Sequence, residues 1–321
     1  MKRLNKKTIL PILAALLLIS GWMTGQASAQ AHRVTVATSG GDYTTVSAAL
    51  AAISPSSSNP YVIDVMPGSY SDSPTMKSYV HLRGAGREVT TLTGTIAISN
   101  NATNVAVSGL LIDGSAGSYG IYIDNFQTAS TVRISESKVK GYRGIFIGAG
   151  GDTVEITGNI VDATYFGIDV YSGTPKIRGN TIKGSQAGIY VHGGSGTLIS
   201  GNKITNGNYG IDISANGTTV IDNTISGASV SGIVANYPDS TVTIIGNTIT
   251  GNGNGGWAGI QLWGASPMIL HNRITGNTPY DVAVDSSSTP NISFNIYDTI
   301  SGTTGSGLYN VKSDGTAATN P

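Results

Sequence analysis

The chain of 321 residues carries 18 basic and 18 acidic side chains, 44 Gly, 11 Pro and no Cys. Hydrophobic residues make up 39% and charged residues 11%, which is enough apolar material for a core and too little charge for a disordered chain. These figures exclude a disulfide scaffold, a cysteine-ligated metal and a cysteine nucleophile. They also leave no basic footprint for nucleic acid.

The first 29 residues read as an export signal. Lys2, Arg3, Lys6 and Lys7 form a basic start, and Ile9 to Ile19 is an apolar run too short to span a bilayer comfortably. Ala27-Ser28-Ala29 is a small-x-small cleavage site, so cleavage before Gln30 is expected. The signal takes four basic residues and no acidic one, leaving 14 against 18, a formal charge of −4. The processed chain is expected to be secreted, periplasmic or at the cell surface, with no membrane contact after cleavage. Residues 30–321 are expected to form one domain, with an N-terminal cap over 30–60, coils over 61–300 and a C-terminal cap over 301–321.

After a Gly-Gly-Asp turn, Thr44 to Ile53 places Val46, Ala49, Leu50 and Ile53 at helical spacing. This predicts a short amphipathic helix capping the open end of a stack of strands, where unpaired edges need cover. Tyr61-Val-Ile-Asp-Val reads as a first strand and Tyr79-Val-His-Leu as a second.

A repeat then dominates. Gly-Ile-x-Ile/Val/Leu recurs at Gly120, Gly144, Gly167, Gly188, Gly210 and Gly259, with weaker copies at Gly232 and Asp281, in steps of 21 to 27 residues. Each unit also carries an Asn ahead of an Ile, at Asn159, Asn180, Asn202, Asn223, Asn247, Asn272 and Asn295. A third β-branched run, such as Thr153-Val-Glu-Ile or Thr219-Val-Ile, lies between them. Three short β-rich runs per unit, split by Gly, Asn and Ser turns, exclude helices. They predict an all-β, right-handed parallel β-helix of about 23 residues per coil, a single-stranded solenoid. The repeated Asn is expected to form a hydrogen-bonded ladder at a tight turn, and the Gly heading each run to ease a turn. Gly307-Leu-Tyr-Asn-Val is expected to be a last strand.

Gly40-Gly-Asp-Tyr-Thr-Thr-Val-Ser-Ala-Ala-Leu, Ile63-Asp-Val-Met-Pro-Gly-Ser-Tyr70 and His81-Leu-Arg-Gly-Ala-Gly86 resemble the N-terminal segment of pectin methylesterases and other proteins of the pectin-lyase-like superfamily. The later units resemble the generic right-handed β-helix repeat. This resemblance implies a β-helix and, among several activities, polysaccharide lyases, glycoside hydrolases, carbohydrate esterases and epimerases, as well as adhesins. The catalytic motifs of the esterases and polygalacturonases do not occur. Phe166-Gly-Ile-Asp169 and Tyr209-Gly-Ile-Asp212 share the first half of the epimerases' Tyr-Gly-x-Asp-Pro-His and lack its Pro-His.

In Gly-Ile-x-Ile-y both Ile face inward, so x and y face out. The x column reads Tyr122, Phe146, Asp169, Tyr190, Asp212, Val234, Gln261 and Ala283; the y column includes Asp124, Tyr171, His192, Asn236 and Trp263. Aromatic rings stack on sugars, and carboxylates bind hydroxyls or Ca²⁺. Tyr122, Tyr171, Tyr190, Gln261 and Trp263 are therefore candidate substrate-binding residues. Asp169, His192, Asp212 and Arg143 are candidate catalytic residues. The two aspartates serve as acid and base or as Ca²⁺ ligands, His192 as proton shuttle and Arg143 as a clamp for a uronate carboxylate. Two coils separate Asp169 from Asp212, roughly 9.6 Å, near the upper end of the spacing of inverting glycosidases. No His pair has metal-ligand spacing, and Ca²⁺ is the one candidate cofactor. The expected partner is an extracellular, acidic polysaccharide that is bound, and in the enzymatic version cleaved or modified, along this face. The alternative is a non-catalytic adhesin or envelope structural protein.

Overall fold

The computed structural model describes residues 30–99, 101–124, 131–148, 154–237, 241–253, 257–302 and 305–319. The export-signal segment lies outside the described residues. From Ala31 on, the chain is one compact unit, a right-handed parallel β-helix. Each coil lays down three strands. Leu198–Ser200, Lys203–Thr205 and Tyr209–Ile213 make one such coil. Every strand pairs in parallel with its counterpart one coil away, as Ile189 with Ile211 and Ile211 with Ile233.

The first sheet has 12 strands, from His32–Val36 to Asn291–Ser293. It therefore begins one strand earlier than the sequence suggests, because His32–Val36 pairs with Tyr61–Val65. Lys203–Thr205 and its equivalents form the second sheet, and the Gly-Ile-x-Ile strands the third. The second and third run on unbroken around the corner in Lys138–Ile147 and Ile160–Val170, with an irregularity between Gly141 and Arg143.

Alternation puts one Ile or Val of each short strand into the lumen. Ile177, Ile199, Val220 and Ile244 from the first sheet, and Ile182, Ile204, Ile225 and Ile249 from the second, are fully buried. Such stacks of β-branched residues supply the apolar burial that offsets the entropy of ordering the chain.

The helix forms at Val46–Ala52. The Thr45 hydroxyl caps it by accepting from Ala48 N at 3.1 Å, and Val46, Ala49 and Leu50 are buried. At the other end, Ser306 and Val311 make isolated bridges in place of the strand expected over 307–311. Asn310, between them, nevertheless continues the ladder.

The ladder occupies the corner between the first and second sheets. Each Asn side-chain oxygen accepts the backbone N–H of the Asn one coil earlier, in an unbroken series from Asn159 to Asn310 at 2.8–2.9 Å. Each side-chain amide reaches a carbonyl one coil back, as Asn223 does to Ile199 O at 3.0 Å. The corner is dry: Asn180, Asn202, Asn223, Asn247 and Asn272 are each 1% exposed. A second, shorter ladder that the sequence reading did not identify runs through Asn252 and Asn277 to the buried carboxylate of Asp281.

The glycines heading the Gly-Ile-x-Ile strands are not turn glycines. Gly144, Gly167, Gly188, Gly210, Gly232 and Gly259 lack positive φ. They stack on one another along the axis. A Cβ on Gly210 would stand 2.4 Å from Ile225 Cγ2 and 2.5 Å from Gly232 O, and one on Gly167 2.3 Å from Gly188 O. Close approach, rather than backbone conformation, selects glycine here.

Candidate functional site on the third sheet

The register confirms the outward columns. Phe146, Asp169, Tyr190, Asp212, Val234, Gln261 and Ala283 stand in line on successive strands. A further outward column, at the residue before each Gly, was not used in the sequence reading. It aligns Tyr119, Arg143, Phe166, Ala187 and Tyr209.

These columns meet at Asp169. Its side chain is 1% exposed, and both oxygens are occupied. Oδ1 lies 2.8 Å from His192 Nε2, and Oδ2 lies 2.7 Å from Arg143 Nε. The arginine contact is an ion pair whose N–H does not point along it, since Nε makes no aligned hydrogen bond. The guanidinium carbon lies 5.7–5.8 Å from the ring centres of Tyr119, Phe146 and Phe166. A cation set among three aromatic faces, next to a buried carboxylate, is held by both.

His192 is held in place by more than Asp169. Its ring stacks on Tyr190, with centres 4.2 Å apart and planes 4° from parallel, and meets the edge of Tyr171 at 5.1 Å. Because Nε2 faces Asp169, Nδ1 is the nitrogen directed elsewhere.

One coil beyond Tyr190 stands Asp212. Burial pushes its carboxyl up to about 6, against the opposing pull of the Asn236 hydrogen bond and of His192. Asn236 Nδ2 donates to Asp212 Oδ1 at 2.8 Å. Burial and the Asp212 charge raise the hydroxyls of both Tyr190 and Tyr209, with Asp169 adding to the effect at Tyr190. Tyr122 donates to Asp124 at 2.8 Å, and that bond, with burial, lifts its hydroxyl to about 12.

The aromatic run is longer than the candidates named from sequence. Tyr119, Tyr122 and Phe146 contact one another at 5.0–5.5 Å. Tyr142, Tyr165, Phe166 and Tyr190 continue the series at 4.4–4.9 Å. Trp257 and Trp263 meet edge to face at 5.3 Å farther along. Between them in sequence, Gln261 is only 7% exposed, whereas Tyr171 is 60% exposed. The structure thus brings Arg143, Asp169, His192, Tyr190 and Tyr171 into one contact set with Asp212 beside it. Tyr122 lies at one flank and Trp263 at the other. No group of three or more His, Asp or Glu at metal-binding distance occurs among the described residues.

A family model described as a right-handed β-helix region matches residues 172–320. No curated protein matches the chain in sequence. Among solved structures, the enzymatically active domain of tailspike protein 2 from bacteriophage CBA120 is similar at 14% identity and a TM-score of 0.60, over 72% of this chain and 43% of that one. The chain therefore spans less than half of that relative. The A-module of the mannuronan C-5 epimerase AlgE6 from Azotobacter vinelandii is similar at 16% identity and a TM-score of 0.56, covering 85% and 94%. ORF18 of Geobacillus virus E2 gives 13% identity, a TM-score of 0.56 and coverage of 97% and 64%. At these identities the likeness is one of fold.

Proposed function

We propose that this chain acts outside the cytoplasm, binding a polysaccharide along the third sheet and performing acid–base chemistry on it at Asp212 and His192. The observation that carries the reading is the buried Asp169, paired with the part-exposed Arg143 and His192 inside an aromatic row. A buried carboxylate is costly unless paired, and here it fixes one imidazole at an open face. The solved structures similar in fold include a tailspike enzyme domain and a mannuronan epimerase module, and those titles support a carbohydrate partner by analogy alone.

In this reading Asp169 is a positioning residue, because both its oxygens are occupied and its side chain is closed to solvent. It keeps the proton of His192 on Nε2 and so leaves Nδ1 as a base. Asp212, raised to about 6, is the acid: below that pH it holds a proton to give to a leaving oxygen. Tyr171, Tyr190, Tyr122 and Trp263 offer ring faces or edges for sugars. Ca²⁺ has its place here as a variable of the assay.

The test is turnover by residues 30–321 on a panel of polysaccharides with and without Ca²⁺, reading reducing ends, unsaturated products and released methanol or acetate. His192→Ala and Asp212→Asn are each expected to lower the rate by about 10²–10⁴-fold with the fold intact. Binding without any product, unchanged in both variants, would leave the adhesin reading in its place. That reading has its own support in the full occupation of Asp169 by protein partners.

A further inference from the structure

Tyr237 stands where the fold calls for glycine. It follows the third-sheet strand Ser231–Asn236 and has a φ of 57°. Asn236 pairs with Trp263 one coil on, so the equivalent residue there is Gly264, whose φ is 55°. The backbone takes the same left-handed turn at both levels, and only one of them uses glycine. A bulky side chain at such a φ is an outlier that costs free energy. Burial does not offset that cost, because Tyr237 is 81% exposed, the most exposed large apolar side chain among the described residues. Stacking does not offset it either. His271, Phe294 and Tyr309 share this conformation, with φ of 55–58°, but they stack on one another at 5.2 Å. Among the described residues no ring stacks on Tyr237. Strain kept at an exposed ring points to a task outside the fold.

The ring is nevertheless held in place. A Cβ on Gly264 would stand 2.7 Å from Cδ1 and 3.0 Å from Cε1 of Tyr237, so one edge of the ring rests on the Gly264 backbone. That backbone is itself tied down, since the Gly264 N–H donates to both Asp285 oxygens at 3.2 Å. Tyr237 N donates to Trp263 O at 2.7 Å. The ring therefore meets solvent with little freedom left to lose on binding. Its place is beside the candidate acid. Asn236, the preceding residue, donates to Asp212 Oδ1 at 2.8 Å, and Asp212, Asn236 and Trp263 lie on three successive coils. Tyr237 stands just off these columns, on the side of the loops that return to the first sheet.

Resting on the polysaccharide reading, we propose that Tyr237 forms a further sugar subsite: its ring stacks on a pyranose unit of the bound glycan, on the loop side of the unit at Asp212 and next to Trp263. A pyranose presents an apolar C–H face that packs on an aromatic ring. Tyrosine supplies that area with few rotatable bonds to immobilise. The contact needs no charge, so it serves neutral and charged glycans alike. Gly264 is then required twice, by its own φ and by the ring that lies on it.

The test is affinity electrophoresis of residues 30–321, as the parent chain, Tyr237→Gly and Tyr237→Phe, against neutral, amino, uronate and sulfated polysaccharides, with a thermal melt of each protein. The glycine variant is expected to bind the parent's glycan about tenfold more weakly. It should melt no lower than the parent, because glycine takes this φ without strain. The phenylalanine variant keeps the ring face and should bind within about twofold of the parent. A glycine variant that binds like the parent would overturn the subsite and leave the polysaccharide reading standing. Loss of binding together with a melting temperature several degrees lower would make the ring a prop of the fold and overturn it too. A phenylalanine variant as weak as the glycine one would move the contact to the hydroxyl and refute stacking. A parent chain that binds none of the polysaccharides would refute the polysaccharide reading, and the subsite with it.

Discussion

Replacing Asn223 with Ala tests whether the asparagine ladder holds the coils in register. Asn223 lies mid-ladder and is 1% exposed. Its side-chain oxygen accepts from the backbone N–H of Asn202 at 2.9 Å, and its amide donates to Ile199 O and Ile221 O at 3.0 Å each. Alanine leaves the Asn202 N–H buried without a partner, a loss of about 1–3 kcal/mol, and removes two carbonyl bonds worth about 1 kcal/mol each. The sum is roughly 3–5 kcal/mol. A solenoid is stabilised by contacts between neighbouring coils, so the effect should be local before it is global. Amide hydrogen exchange with residue resolution is the assay. The Asn202 amide should exchange at least a hundredfold faster, while the Asn159 amide, two coils away, stays near its original rate. Thr224→Ala, at the adjacent exposed position, is the control. Exchange at Asn202 within threefold of the parent protein, in a folded variant, would refute the argument that the ladder is an energetic element.

Further outcomes follow from the site and the core. The folded Asp212 carboxyl is raised from 3.8 to about 6, so stability present below pH 4 is lost as pH rises through 6; Asp212→Asn should therefore raise the urea midpoint at pH 8 and leave it nearly unchanged at pH 4. Turnover should fall above pH 6 as the acid loses its proton, and a pH–rate profile flat from pH 5 to 8 would remove Asp212 from that role. Arg143→Leu leaves Asp169 buried opposite His192 alone and should cost about 3–5 kcal/mol in chemical unfolding; combining it with Asp169→Asn should recover part of that loss. Gly210→Ala should destabilise by several kcal/mol, because its Cβ meets backbone oxygen at 2.5 Å. Tyr171→Ala, at a 60% exposed ring, should weaken glycan binding several-fold in titration while the melting temperature holds.

The β-helix was legible because its signal is repeated. Asn180, Asn202, Asn223, Asn247 and Asn272 recur with their Ile neighbours, and one turn solution explains them all. The second ladder was not legible, since Asn252 and Asn277 span only two coils and the last member, Asp281, lies four residues on and changes residue type. Coil steps sufficed to align Asp169, Tyr190 and Asp212, because register in a parallel stack follows from strand position alone. Burial did not follow in the same way. The closure of Asp169 depends on Arg143 and on the tilt of neighbouring rings, and Gln261 sits beneath surroundings that a column of letters does not describe. The glycine column was misread for a related reason: a Gly in a turn and a Gly in a tight stack look alike in sequence, and only φ and the distance to the next coil separate them.

The ladder has one more property. Successive members stand 21, 22, 21, 24, 25 and 23 residues apart, yet the bonds between them vary by only 0.1 Å. All differences in coil length are therefore taken up in the loops, and the corner itself never changes. A coil is in this sense an interchangeable part, with the same connector above and below. Whole coils can be duplicated or removed through the middle of the chain without altering any joint, whereas a single residue added inside the Asn-x-Ile corner would break every bond at that level. The solenoid is built to change its length in whole units, and to diversify along its loop edge.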